Sequence, residues 1–162
     1  MTAEATDVPR FVVVGIGADG WAGLTDRARD ELRGATVVYG STRQLALLPA
    51  LDATTVAWTS PMSEHLHRVV SEATAAEVHV LASGDPMFHG VGSTIVGAVG
   101  RDRVRILPTV SSASLACAEL GWDLARTHVI STVHHEVESG VPVVTDGRRV
   151  LVLSRGAHTP TE

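Results

Sequence analysis

Three short segments of this sequence combine glycine, proline, serine and aspartate in patterns that suit the binding of a small polar molecule. They are Gly-Ile-Gly-Ala-Asp-Gly at 15–20, Ser-Gly-Asp-Pro at 83–86 and Pro-Thr-Val-Ser-Ser at 108–112. Each follows an apolar run typical of a buried strand, at 11–14, 78–82 and 104–107 respectively. Because ligands of open parallel α/β sheets bind outside the carboxyl ends of the strands, the three segments predict one small-molecule site.

The middle segment has the most distinctive chemistry. Gly84 allows the backbone to approach a ligand closely, and Pro86 stiffens the turn. The carboxylate of Asp85 has two readings, a ligand contact or an Asx turn that only shapes the loop, and the residues alone leave both open. In the third segment, Ser111 or Ser112 is expected to cap a helix whose free N–H groups can also meet a polar ligand.

The elements that must position these segments follow from the apolar pattern. Strand-like runs alternate with helical spacing, which predicts an α/β fold with a mainly parallel five-stranded sheet and flanking helices over residues 1–107. The predicted strands are 11–14, 36–39, 54–58, 78–82 and 104–107, and the predicted helices are 25–33, 41–48, 62–73 and 91–99.

The pattern changes after the fifth strand. A helix is predicted at 111–120, closed by Gly121, with strands at 128–132 and 149–153 and a polar loop at 136–148. Two strands and one helix make a small domain, so we interpret residues 108–162 as the start of a second α/β domain that is incomplete.

The first segment also matches the dinucleotide fingerprint Gly15-x-Gly17-x-x-Gly20. That motif requires its last glycine inside the first turns of a helix and an acidic residue about 20 positions on, after the second strand. Here the best helix N-cap is Thr25, and the second strand ends without an acid. A tight turn is therefore favoured, and a nicotinamide- or flavin-binding Rossmann domain stays as the alternative.

Composition excludes several classes of function. The chain has 162 residues and a formal net charge of -5, which does not suit nucleic-acid binding. No apolar run approaches the roughly 20 residues that span a bilayer, so no membrane association is expected. With Cys117 as the single cysteine, no intramolecular disulfide can form, which fits a reducing cytoplasm. His134 and His135 are adjacent rather than at metal-ligand spacing, and no metal is expected.

In their wider context the three segments resemble the tetrapyrrole methylases, at 14–25, 81–90 and 107–114. The sequence departs from that family at Ala18, where proline is common, and at Thr109, where glycine is usual. The resemblance implies S-adenosylmethionine as methyl donor and assigns no catalytic residue. It implies donor binding by Ser83, Gly84, Asp85, Pro86, Ser111 and Ser112. It implies tetrapyrrole binding by Gly17, Ala18, Asp19, Arg43 and His89.

Three further stretches, at 38–45, 90–94 and 118–122, resemble the N-terminal part of the family members that methylate C5 of precorrin-6Y in cobalamin biosynthesis. In their fused form those members carry a second domain for C15 methylation and decarboxylation. The resemblance implies a homodimer with its ligands in a cleft between two domains, so we expect this length of chain to be weakly active or inactive alone. Methylation of another precorrin carbon and a non-catalytic binding module remain alternatives.

Overall fold

The computed structural model describes residues 9–73, 75–131 and 147–154. They fall into two compact units, one ending at Val110 and the other beginning at Ser111. The strands of the first unit are β1 (Arg10–Ile16), β2 (Val37–Gly40), β3 (Thr54–Ala57), β4 (Glu77–Ser83) and β5 (Val104–Leu107). Its helices are α1 (Asp26–Arg33), α2 (Thr42–Leu45), α3 (Met62–Glu72) and α4 (Val91–Val99).

The five strands form one parallel sheet in the order β3-β2-β4-β1-β5, which confirms the predicted sheet. Strand β1, which lies between β4 and β5, sends alternate side chains to the two faces of the sheet, and both sets are buried. Val12 and Val14 pack in one apolar cluster with Leu32 of α1. Phe11 and Val13 pack in the other, which receives the apolar faces of α3 and α4.

The first helix begins where its capping residue predicts. The Thr25 hydroxyl accepts a hydrogen bond from the Ala28 N–H at 3.2 Å, which satisfies one of the free donors of the first turn of α1. A short 3-10 turn, Gly20–Gly23, fills the space between β1 and this cap. A dinucleotide motif would need the helix to begin earlier, so the predicted late start is confirmed.

The second helix is shorter than predicted. The sequence pattern predicts a helix over 41–48, whereas α2 ends at Leu45. The next amides, Leu47 and Leu48, donate to carbonyl groups three residues back, at 3.1 Å each. These tighter bonds turn the chain out of the α-helical path before Pro49.

The second unit contains α5 (Ser112–Leu120) and two parallel strands, β6 (Thr127–Ser131) and β7 (Arg149–Leu153). Gly121 follows α5 in the left-handed conformation, with φ of 64°, as expected for a helix C-cap. Residues 132–146, with His134, His135 and most of the predicted polar loop, lie outside the described residues. The assignment of this unit to a second α/β domain stays a prediction.

Among the described residues, each helix is too short or too polar to cross a bilayer.

Candidate functional site

Parallel pairing brings the first two predicted segments together at the carboxyl edge of the sheet. Ile16, the last residue of β1, lies opposite Ser83, the last residue of β4. Leu107, which ends β5, pairs with Val14 on the other side of β1. The loops that follow β1, β4 and β5 therefore leave the sheet side by side.

These three loops meet over Gly15. The Gly84 N–H donates to the Ile16 carbonyl at 3.0 Å, and the Thr109 N–H donates to the Gly84 carbonyl at 3.4 Å. A Cβ atom at Gly15 would overlap the Gly84 carbonyl oxygen and would lie 2.8 Å from the Thr109 nitrogen. Gly15 is therefore needed for the junction to close, a role that the glycine motif in the sequence does not reveal.

The middle loop forms an Asx turn. The Met87 N–H donates to Oδ1 of Asp85 at 2.9 Å, and the Phe88 N–H donates to the Asp85 carbonyl at 3.1 Å. Gly84 precedes this turn with φ of 60°, a left-handed conformation that glycine adopts without strain. The second carboxylate oxygen of Asp85 has no partner within the described part of the chain. The two readings of Asp85 are thus compatible, because one oxygen shapes the loop and the other is available to a ligand.

Pro86 supports the loop from below. Its side chain is fully buried, and its carbonyl accepts a hydrogen bond from the Gly92 N–H at 3.0 Å. A Cβ atom at Gly90 or Gly92 would lie 2.6 or 2.7 Å from that carbonyl oxygen. Pro86 therefore shapes the loop, and its contact with the donor stays a prediction. The two glycines are site-building residues whose only sequence signal is their position shortly after the Gly-Asp-Pro motif.

The tip of the middle loop is exposed. Met87 and Phe88 have 48% and 36% of their surface accessible, and the His89 ring meets the Phe88 ring edge to face with centroids 4.9 Å apart. His89 has φ of 53°, a left-handed conformation that non-glycine residues seldom adopt. Such backbone strain concentrates at binding loops, and here it holds an imidazole and two apolar side chains at the edge of the sheet.

The first loop places its carboxylate against two glycines. The Gly20 N–H donates to the Gly17 carbonyl at 3.1 Å, which closes the turn through exposed Ala18 and Asp19. A Cβ atom at Gly17 would lie 2.5 Å from Oδ1 of Asp19, and one at Gly23 would overlap the carboxylate. Gly17 and Gly23 therefore make room for Asp19, whose carboxylate has no partner among the residues described.

The short helix α2 reaches the middle loop from the side. Its Gln44 completes a capping box with Ser41, and the Gln44 amide nitrogen donates to the Ser83 hydroxyl at 3.0 Å. The neighbouring Arg43 is exposed and makes no ion pair within the described residues. Gln44 is a site residue that the motifs miss, although the Ser-x-x-Gln spacing marks it as a capping residue.

The two serines of the third segment lie in the second unit. The Ser111 hydroxyl accepts from the Ser114 N–H at 3.1 Å, and Ser112 is the exposed first residue of α5. Ser111 is thus the predicted N-cap. Donor binding by either serine stays a prediction.

A charged cluster lies in the other half of the sheet. Nε2 of His79, in β4, is 3.0 Å from Oε1 of Glu31 on α1, and the Arg105 guanidinium of β5 lies 2.5 Å from the same oxygen. Burial raises the pKa of Glu31, but the hydrogen bonds from His79 and Arg105 outweigh it, so the pKa lies below its ordinary value.

This cluster has the side-chain types of a cation site. Atoms of Glu31, Glu77 and His79 lie within 4.8 Å of one another. Arg105 already supplies the positive charge at Glu31. Nδ1 of His79 is buried without a partner, whereas a metal-bound imidazole is normally held through its second nitrogen. The arrangement therefore fits an internal charge network that pins α1 to the sheet.

Comparisons with known proteins give a consistent result. Residues 10–159 match the family described as Tetrapyrrole (Corrin/Porphyrin) Methylases. Over 151 residues the chain is 46% identical to a precorrin-6Y C(5,15)-methyltransferase [decarboxylating] of Mycobacterium tuberculosis, covering 93% of this chain and 37% of that protein. Over 114 residues it is 33% identical to a cobalt-precorrin-7 C(5)-methyltransferase of Salmonella typhimurium, covering 70% of this chain and 56% of that protein.

The fold agrees with a solved relative. The crystal structure of a precorrin-6Y methylase from Archaeoglobus fulgidus superimposes with a TM-score of 0.61 at 28% identity, covering 75% of this chain and 62% of that one. The chain spans a little over a third of the length of the Mycobacterium tuberculosis relative. The match over residues 10–159 and the parallel sheet with its Gly-Asp-Pro loop lead to one conclusion: this chain belongs to the tetrapyrrole methylases.

Proposed function

We propose that this chain is a methyltransferase module that transfers a methyl group from S-adenosylmethionine to C5 of precorrin-6Y in cobalamin biosynthesis. The observation that carries the proposal is the middle loop, which closes over the ends of β1 and β5 and leaves one oxygen of Asp85 unpaired within the described residues. The names of the two curated relatives differ in substrate but share the carbon C5.

The name of the Mycobacterium tuberculosis relative includes a second reaction, which we assign to the part of that protein outside the match. That name specifies C15 as well as C5, and a decarboxylation, while the match covers 37% of that protein. We assign C15 methylation and decarboxylation to the part of such proteins outside the match, and C5 methylation to the part that this chain resembles.

The residues of the middle loop fit the methyl donor. S-adenosylmethionine supplies an electrophilic methyl group on a positively charged sulfur. Ser83 and Asp85 offer a hydroxyl and a carboxylate oxygen for its polar groups, and glycine at position 84 permits close approach of the backbone. Ser111 and Ser112, at the beginning of α5, add free N–H groups that suit a carboxylate.

The acceptor is held by a different set of residues. A precorrin carries several carboxylate side chains, so the exposed cation of Arg43 and the imidazole of His89 suit its periphery. Gly17, Ala18 and Asp19 border the same edge of the sheet. The work of the protein is to align the acceptor carbon with the methyl group and to exclude water, which requires neither a covalent nucleophile nor a metal.

Two measurements on the 162-residue chain test this proposal. In calorimetric titrations, S-adenosylhomocysteine should bind and NAD should not; binding of NAD alone would support the dinucleotide alternative. With precorrin-6Y and a methyl-labelled donor, we expect little product from this length of chain, and the label in that product should appear at C5 in the carbon NMR spectrum. A label at any other carbon would contradict the C5 assignment while leaving the reaction class intact.

We also propose that the protein acts in the cytoplasm as a homodimer. Cys117 is buried, and no second cysteine is present to pair with it. On α5, Leu115 and Leu120 are 56% and 51% exposed, an apolar surface that association would cover. Light scattering coupled to gel filtration should give twice the monomer mass, and the monomer mass at micromolar concentration would contradict the dimer.

A further inference from the structure

We infer that Gln44 is a positioning residue that sets the direction of the Ser83 hydroxyl group. It thereby makes this hydroxyl of the donor-binding loop a hydrogen-bond donor toward the ligand. This inference rests on the proposed function, since it takes Ser83 to contact the methyl donor. It concerns a residue of α2, outside the three segments from which the sequence predicts the site.

The orientation of the Gln44 amide follows from its two contacts. The Ser41 backbone N–H lies 2.8 Å from one end of the amide and can only donate, so that end must be the carbonyl oxygen. The NH2 group is consequently at the other end, 3.0 Å from the Ser83 hydroxyl oxygen. The capping box of α2 therefore determines which way the amide faces.

The direction of the Ser83 hydroxyl follows in turn. An NH2 group only donates, so the Ser83 oxygen accepts from Gln44 and cannot send its own proton there. Among the described residues no acceptor takes that proton. Ser83 is exposed at the carboxyl edge, next to Gly84, so its O–H is available to an acceptor atom on a ligand.

This arrangement connects the residues proposed to bind the donor with those proposed to bind the acceptor through one turn of helix. Arg43, assigned to the acceptor, and Gln44, which orients a donor-binding hydroxyl, are neighbours in α2. A shift of α2 would move both. Gln44 thus acts through Ser83 and touches neither reacting group.

The substitution Gln44→Glu isolates this role. Glutamate serves as well as glutamine in a capping box, so the Ser41 contact is kept. Its second oxygen faces Ser83 as an acceptor and pulls the hydroxyl proton away from the ligand. We expect the affinity for S-adenosylhomocysteine, measured by calorimetry on the whole chain, to fall about three- to tenfold.

A double-mutant cycle with Ser83→Ala separates hydroxyl direction from added charge. If Gln44 acts through the hydroxyl, Gln44→Glu should have no further effect in the Ser83→Ala background. An equal loss in both backgrounds would show a plain charge effect and overturn the inference. Gln44→Met, which removes both hydrogen bonds without adding charge, should weaken binding about twofold because the hydroxyl then rotates freely.

The outcomes also separate this inference from the proposed function. Full affinity in Gln44→Glu, together with a loss in Ser83→Ala, would overturn the role of Gln44 alone. Failure of the wild-type chain to bind S-adenosylhomocysteine would overturn both. Thermal unfolding of each variant within a few degrees of wild type shows that the affinities report on folded protein.

Discussion

Charged side chains are paired at the amino end of the sheet, whereas at the carboxyl end two of them are exposed and have no charged partner among the described residues. In the amino half, Glu31 of α1 is hydrogen-bonded to His79 of β4 and to Arg105 of β5. At the carboxyl edge, Asp19 and Arg43 have no charged partner among the described residues and stay exposed. The loops there are held by backbone hydrogen bonds and by glycines that leave no room for a side chain.

This difference separates residues that hold the fold from residues that are available to a ligand. A paired, partly buried charge stabilises the folded state, so its removal lowers the free energy of unfolding. An exposed charge without a partner contributes little to stability, so its removal changes only the affinity for a ligand. Substitutions at the two ends should therefore change different measurements.

The largest effect is expected at the loop junction over Gly15, where one substitution should lower both the free energy of unfolding and the donor affinity. In Gly15→Ala the new Cβ would overlap the Gly84 carbonyl, so the loops after β4 and β5 must move. We expect the free energy of unfolding to fall by about 3 kcal/mol, and donor affinity to fall more than about tenfold. Denaturant melts and calorimetry measure the two.

Gly97→Ala is the matched control. A Cβ at this α4 position meets nothing within 4 Å, so alanine should raise the free energy of unfolding by up to about 1 kcal/mol through helix propensity. If Gly15→Ala were as stable as Gly97→Ala, the three-loop junction would not depend on glycine.

The next effect concerns stability in the amino half. Glu31→Gln keeps an oxygen that can accept from His79 or Arg105 but removes its negative charge, and should lower the free energy of unfolding by about 1–2 kcal/mol at pH 7. Donor affinity should stay within twofold, because the carboxyl-edge loops are untouched. A loss of affinity with unchanged stability would reverse the comparison between the two ends.

The same variant tests the pKa of Glu31. Because that pKa is lowered in the folded state, the ionised carboxylate contributes full stability above its ordinary value of 4.5. The contribution is lost as the pH falls through the lower folded-state pKa. The stability difference between wild type and Glu31→Gln should therefore shrink in acid, as followed by chemical denaturation between pH 3 and pH 7 (roughly the range of carboxyl titration). A constant difference would contradict the lowered pKa.

A smaller effect, on binding alone, is expected at Asp85. Asparagine keeps the oxygen that accepts from Met87 and so preserves the Asx turn. It loses the charge, and affinity for S-adenosylhomocysteine should fall about tenfold with an unchanged melting temperature. Asp52→Asn, an exposed acid before β3, is the control and should change neither quantity. Equal affinities for the two variants would remove the Asp85 carboxylate from the donor site.

The smallest effect is expected at Arg43. Glutamine at this exposed position should raise the KM for precorrin-6Y about threefold, as for a solvent-exposed ion pair, and leave kcat and stability unchanged. Arg27→Gln, an exposed arginine on α1, is the control. A change in kcat rather than KM would indicate that α2 positions the donor loop and does not bind the acceptor.

Local patterns predicted most of the first unit because they depend on nearby residues. The run at 104–107 and the helix at 91–99 have the predicted bounds, and Thr25 caps α1 as its side chain favours. The helix predicted at 41–48 was too long, because its final amides bond three residues back. The point at which α2 ends depends on how the chain must turn toward β3, and local helix propensity does not predict that turn.

The sequence by itself therefore determined the strands, the helix caps and the loops that carry the Gly-Asp-Pro motif. Only the tertiary structure decided which distant residues support them: Gln44 reaches Ser83 across 39 positions, and Glu31 reaches His79 across 48. Strand order and register place these partners side by side, and the local spacing of residues predicts neither the order nor the register. The glycine requirement at Gly15 has the same origin, because the carbonyl that excludes a side chain there comes from another strand's loop.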